Sequence, residues 1–148
     1  MNSVATTTRI LERHLPDERA TARLGEDLAM ALCAGNVLAL SGDLGAGKTT
    51  LARGLIRALA GDAGLEVPSP TFTLVQSYAT RVPLHHLDLY RLASPDELDE
   101  LGLDEMLATG AALVEWPERA GDRLPEGTVV VELAHDGAGR LATISGSG

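Results

Sequence analysis

The stretch Gly42-Asp43-Leu44-Gly45-Ala46-Gly47-Lys48-Thr49 fills every fixed position of the pattern G-x-x-x-x-G-K-S/T. A short apolar run, Val37-Leu38-Ala39-Leu40-Ser41, precedes it, and Lys48 to about Ala60 follows with Leu51, Leu55 and Leu59 on one helical face. A buried strand, a glycine loop and a helix are therefore predicted in that order. Glycines allow a tight turn that brings successive N–H groups toward one point, and the helix start adds its own unpaired N–H groups and positive dipole end. The result is a cradle for the phosphates of a nucleotide. Lys48 would set an ammonium on the β- and γ-phosphates and the Thr49 hydroxyl would ligate Mg²⁺. Lys48 is the one lysine of a chain with eleven arginines. A guanine-reading N/T-K-x-D element needs another lysine, so ATP is expected in preference to GTP.

Around this unit the chain reads as alternating helices and strands. Helical spacing begins after Leu15-Pro16-Asp17, with Ala20, Leu24, Leu28 and Leu32 in phase and Gly35 as a stop. Thr71 to Tyr78 and Val82 to Leu89 read as a β-hairpin about a polar turn at Ala79-Thr80-Arg81. Ser94-Pro95-Asp96-Glu97 has the form of a helix start, with serine as cap and glutamate three residues on. That helix is expected to reach Leu101, with a second short one through Leu107. Ala111 to Glu115 is a further buried strand, and Thr128 to Ala134 with Arg140 to Ser145 make a late strand pair around Asp136-Gly137. This alternation predicts an α/β sandwich, a central mixed β-sheet flanked by helices. At 148 residues the chain is read as a single domain, with an ordered core from about residue 10 to 145.

Charge and composition narrow the function classes. With 12 basic and 21 acidic side chains the formal net charge is −9, and residues 61–148 carry fifteen of the acids against five bases. Direct, sequence-independent nucleic-acid binding needs a basic face and is disfavoured. Asp96, Glu97, Asp99, Glu100, Asp104 and Glu105 place six acids within ten residues. They read as a solvated helical face, or as a dock for a basic partner surface. The single Cys33 cannot form an internal disulfide, and its apolar neighbours suggest a buried, inert thiol. The longest uncharged stretch, Leu28 to Gly42, falls short of the roughly 20 apolar residues that span a bilayer. No apolar signal core follows Met1, so the expected location is the cytoplasm, with no membrane partner.

A phosphate loop of this kind is served by an acid near the metal, usually at the end of a neighbouring buried strand. Two residues qualify. Glu115 closes the run Ala111 to Val114, just before Trp116-Pro117, either as that acid or as a solvated strand-end carboxylate. Asp88, between Leu87 and Leu89, is either catalytic or on the outer face of a hairpin. His85 and His86 point to opposite faces of a strand, cannot chelate together, and read as structural or hydrogen-bonding residues. Ser69-Pro70-Thr71-Phe72-Thr73 is either a switch segment or an ordinary entry into a strand. A small-molecule kinase is the rival activity. It would need an arginine-bearing lid, hinted at by Arg119 and Arg123.

Taken together these motifs resemble the small bacterial TsaE-type P-loop ATPases of tRNA threonylcarbamoyladenosine modification. The resemblance spans about residues 15–145. It is carried by Leu15-Pro16-Asp17-Glu18, Gly42 to Thr50, Ser69 to Val75, His86-Leu87-Asp88-Leu89-Tyr90-Arg91-Leu92 and Val114-Glu115-Trp116-Pro117-Glu118. It implies a P-loop NTPase-like fold in which Leu44, Gly45, Ala46, Gly47, Lys48, Thr49 and Thr50 wrap the phosphates of ATP. Thr49 and Glu115 hold Mg²⁺, Asp88 is needed for hydrolysis, Glu18 and Arg140 reach the nucleotide, and Trp116 sits beside the site. It further implies an accessory to a transferase of TsaD-type and TsaB-type subunits, meeting tRNA only through that complex. Activity is expected to be weak alone and raised by the partner. A non-catalytic module, in which ATP orders a surface for assembly, is the remaining alternative.

Overall fold

The computed structural model describes residues 8–43, 45–70 and 73–147. At its centre is strand β2 (Val37–Gly42), which leads through the glycine loop into helix α2 (Lys48–Ala60). β2 pairs in parallel on one side with β5 (Ala111–Glu115) and on the other with β6 (Val129–Asp136). Beyond β5 lie β4 (Leu84–Asp88), parallel to it, and then β3 (Val75–Tyr78), antiparallel. Beyond β6 lie β7 (Gly139–Ser147) and β1 (Thr8–Leu15), both antiparallel to their neighbours. The seven-stranded order is β1-β7-β6-β2-β5-β4-β3, the mixed sheet that the alternating pattern predicts.

Both faces of the sheet are covered, which is why its central strands are continuous apolar runs. Helix α1 (Glu18–Ala31) and α2 lie on one face, where Leu24, Leu51 and Leu55 pack on Leu38, Leu40 and Leu113. Helices α3 (Asp96–Leu101) and α4 (Leu103–Thr109) and a 3-10 turn at Pro117–Ala120 cover the other, where Leu98 and Leu103 meet Val37, Leu87 and Val114. Strand parity then decides where the chemistry goes. Leu113 is in the α1/α2 layer, so Glu115 two residues on is on that face too; Leu84 likewise carries His86 and Asp88.

α1 and α2 touch backbone to backbone because two glycines remove the side chains between them. A Cβ on Gly25 would stand 2.3 Å from the Leu51 carbonyl oxygen, and one on Gly54 would stand 2.5 Å from that of Ala22. This contact fixes α2, and with it the loop at its start.

Several boundaries differ from the sequence reading. Strand β1 was not foreseen: it lies where only a dispensable end and the approach to a helix were expected, and β7 alone flanks it. Its Ile10 and Leu11 are both largely exposed, so no inside–outside alternation marks it as a strand. Helix α1 has Asp17 as its cap, Oδ1 accepting from Ala20 N–H at 2.9 Å, and ends at Ala31 instead of Gly35. Cys33 therefore falls in the following turn, where its N–H donates to Asn36 Oδ1, and it is exposed, contrary to the buried thiol expected. Ser94 Oγ accepts from Asp96 N–H at 3.1 Å, but the helix begins at Asp96 with Pro95 at the cap position, one residue after the serine expected there. β3 starts at Val75 because Leu74 takes φ +66°, a left-handed conformation that interrupts the strand; Thr71 and Phe72 lie outside the described residues. No helix among the described residues is long and apolar enough to cross a membrane.

Gly25→Ala should destabilise the protein by roughly 1–3 kcal/mol or more, since its new methyl meets backbone that cannot yield. Gly64→Ala, whose Cβ would meet only Asp62 Oδ1 at 3.6 Å, should stay within about 0.5 kcal/mol of the parent. Urea denaturation of the two variants checks both.

Candidate functional site

The loop leaves β2 through Gly42 at φ +142°, and Gly45 (+79°) and Gly47 (+102°) also take left-handed conformations. At Gly42 the need is doubled, because a Cβ there would lie 2.5 Å from the Leu133 carbonyl oxygen on β6. No side chain caps α2 at Gly47, so the first N–H groups of the helix are left to whatever the loop encloses. Lys48 is buried at 7% exposure. Its ammonium donates to the Gly42 carbonyl at 2.6 Å and lies 3.8 Å from the centroid of the Trp116 ring.

In front of the loop is a cleft of about 500 Å³. Its floor is Gly45, Gly47, Lys48, Thr49 and Thr50; one wall is Asp88, Tyr90, Glu115 and Trp116, and the other includes Glu18 and Arg140. Sequence-selected residues from six separate segments, Ser69 of the candidate switch segment among them, thus share one cavity. One sequence-selected position stands apart. Ala46 turns its methyl into the core at 1% exposure and its N–H to the Asp43 carbonyl at 3.1 Å. Leu44 lies outside the described residues.

The acidic wall is built by register. Asp88 at the end of β4 is paired with Glu115 at the end of β5, and they are 5% and 8% exposed. Neither is a solvated strand-end group. Asp88 Oδ1 accepts from Tyr90 N–H at 3.0 Å, and Glu115 Oε2 is 2.7 Å from His86 Nε2. Hydroxyl and carboxylate oxygens facing one cleft, with no thiol among them, form a donor set for a hard cation such as Mg²⁺. No cluster of three or more His, Cys, Asp or Glu able to hold a metal occurs among the described residues.

Trp116 reverses the chain directly after Glu115, at φ 56° and ψ 53°, and Pro117 follows. This is a strained position for a bulky residue, and such strain concentrates at functional sites. Its ring lies 4.9 Å from that of Tyr90, and the Arg119 guanidinium stands 5.7 Å from the Tyr90 ring. On the opposite wall Arg140 donates to the Gly45 carbonyl at 2.9 Å, while its Nε is buried without a partner among the described residues. His85 points away from the cleft and bonds Ser77 at 2.8 Å, and burial lowers its pKa. His86 belongs to the site through Glu115. The signal that could have found it is its place two residues before Asp88, hence on the same face.

Comparison with known proteins gives the chain its relatives. A family model described as threonylcarbamoyl adenosine biosynthesis protein TsaE matches residues 15–142. Curated relatives described as tRNA threonylcarbamoyladenosine biosynthesis protein TsaE include one from Treponema pallidum, 43% identical over 114 residues (76% of this chain, 83% of that one). Another, from Haemophilus influenzae, is 39% identical over 130 residues (83% of this chain, 81% of that one). The crystal structure of Bacillus subtilus YdiB superposes with a TM-score of 0.80 at 30% identity, covering 96% of this chain and 88% of that one.

Lys48→Met should change the fluorescence emission of Trp116, the single tryptophan of the chain, in the absence of any ligand, because it removes the cation from the indole face. An identical emission spectrum would rule the contact out.

Proposed function

The chain belongs to the TsaE family, and from that premise we propose that it is a Mg²⁺-dependent ATPase serving the formation of threonylcarbamoyladenosine in tRNA. The observation that carries this reading is the convergence of Lys48, Thr49, Asp88 and Glu115 on one cleft in front of a glycine loop.

In this reading the N–H groups at the start of α2 bind the phosphates of ATP, and the Lys48 ammonium exchanges its contact with the Gly42 carbonyl for the β- and γ-phosphate oxygens. Thr49 and Glu115 would hold Mg²⁺, whose contribution when bound is to neutralise charge on the phosphate oxygens. Asp88, held at Oδ1 by Tyr90 N–H, orients the attacking water and accepts its proton. The bond from water oxygen to the γ-phosphorus forms as the bond to the β–γ bridging oxygen breaks, giving ADP and phosphate. Glu18 and Arg140 bound the opposite wall of the cleft and reach the rest of the nucleotide.

Regulation by a partner fits the charges that are already committed. Arg123 is engaged by Asp96, Asp99 and Asp122, which raise its pKa, so it is not poised over the cleft as the lid of a kinase would be. With Arg123 committed in this way, hydrolysis is weak alone and is stimulated by a transferase complex of TsaD-type and TsaB-type subunits. Through that complex the protein meets tRNA only indirectly. Glu100, Asp104 and Glu105 remain exposed on α3 and α4 as the acidic face toward a basic surface of that complex.

A multiple-turnover modification assay with the transferase pair, tRNA and ATP should require this protein for turnover beyond the first cycles. Equal turnover in its absence would overturn the functional reading. Lys48→Ala should lower ATP hydrolysis by roughly 10²–10³-fold, measured as released phosphate, with folding retained.

A further inference from the structure

His86 is a buried polar residue in the layer between the sheet and α1/α2. It occupies the β4 position between Leu84 and Asp88, opposite Leu113 of β5, and is 3% exposed. Leucine or phenylalanine would suit the packing of that layer. The ring instead places Nε2 2.7 Å from Glu115 Oε2 and leaves Nδ1 buried with no hydrogen-bond partner among the described residues. A histidine retained only for internal hydrogen bonding would satisfy both nitrogens, because an unpaired buried polar atom is costly. The cost makes sense if the Nε2 contact does something that packing cannot.

A carboxylate only accepts, so the shared proton is on Nε2, and the bond fixes both the ring tautomer and the carboxylate rotamer. Glu115 has a second constraint on its other side, since the chain turns sharply at Trp116 immediately after it. Between ring and turn, one oxygen of Glu115 is committed while the carboxylate still lines the cleft.

We propose that His86 is a positioning residue: by donating Nε2–H to Oε2 of Glu115 it presents the other carboxylate oxygen to the divalent cation that accompanies the nucleotide. This rests on the reading of Glu115 as a cation ligand. Outer partners that hydrogen-bond a metal ligand typically set metal affinity by about 10–100-fold. They act on the cation and leave metal-free nucleotide binding untouched, which separates this role from a general effect on folding.

The test uses Mn²⁺ as an electron-paramagnetic probe with a non-hydrolysable ATP analogue, and analogue binding in EDTA as the reference. His86→Leu should weaken Mn²⁺ binding about 10–100-fold with analogue affinity in EDTA unchanged. His86→Gln, whose side-chain amide can donate from the place of Nε2, should keep most of the affinity. If His86→Leu binds Mn²⁺ as the parent does while Glu115→Gln binds it weakly, the positioning role is wrong and the site reading stands. If Glu115→Gln itself binds Mn²⁺ as the parent does, the site reading fails and the proposal falls with it. Loss of analogue binding in EDTA alongside Mn²⁺ binding would reduce His86 to a structural residue and overturn the proposal. Should the leucine variant not fold, His86→Gln and His86→Asn present the same amide at different reach. The proposal requires tighter Mn²⁺ binding by the glutamine variant, and equal affinities overturn it.

Discussion

Everything at this site depends on a strand that is paired on both sides and ends in a residue without a side chain. β2 is held between β5 and β6, and at its last position Gly42 is pressed so close to the Leu133 carbonyl that no Cβ fits. The chain can leave the sheet there only by turning on glycine, and the turn delivers Lys48 and the open end of α2 to the front of the parallel strands. The backbone contact of α2 with α1 at Gly25 and Gly54 then keeps that helix end from drifting. Open sheets with parallel strands bind ligands at the carboxyl ends of those strands, and here Asp88 and Glu115 end their strands at the same level as the loop.

The cleft sets one buried ammonium against two buried carboxylates. Lys48 is balanced by the Gly42 carbonyl and the Trp116 ring, both weaker partners than an anion, so a phosphate can displace them. The carboxylates are oriented by Tyr90 N–H at Asp88 and by His86 Nε2 at Glu115. The site thus presents both signs of charge to a single cavity. The overall acidity of −9 sits elsewhere in part, and Arg123 already takes up some of it on α3.

The loop, α2 and the sheet of mixed strands were legible in the sequence because glycine spacing and apolar periodicity report directly on backbone demands. The meeting of Asp88 with Glu115 was legible only as two separate strand-end acids. Their register is a long-range pairing that no local pattern encodes, and the resemblance to a family supplied what periodicity could not. β1 was illegible because an edge strand with exposed Ile10 and Leu11 obeys no burial pattern. Cys33 was misjudged because apolar spacing ran past the true end of α1. The hydrogen-bonding role read for His86 is borne out, but its partner Glu115 comes from the neighbouring strand, a pairing that no local pattern encodes.

Arg140 bonds the Gly45 carbonyl across 95 residues of chain, and both neighbours of β2 come from the C-terminal part of the sequence. A growing polypeptide that has made only β1 to α2 therefore carries the full glycine motif without the wall of Asp88, Tyr90, Glu115 and Trp116 and without Arg140 of the other, and β1 waits unpaired for β7. Long-range pairing of this kind is slow to form and exposes apolar strands while it is incomplete. The cleft is thus completed last in biosynthesis although its glycine motif is translated early. A chain interrupted before β7 would display the motif and lack the pocket.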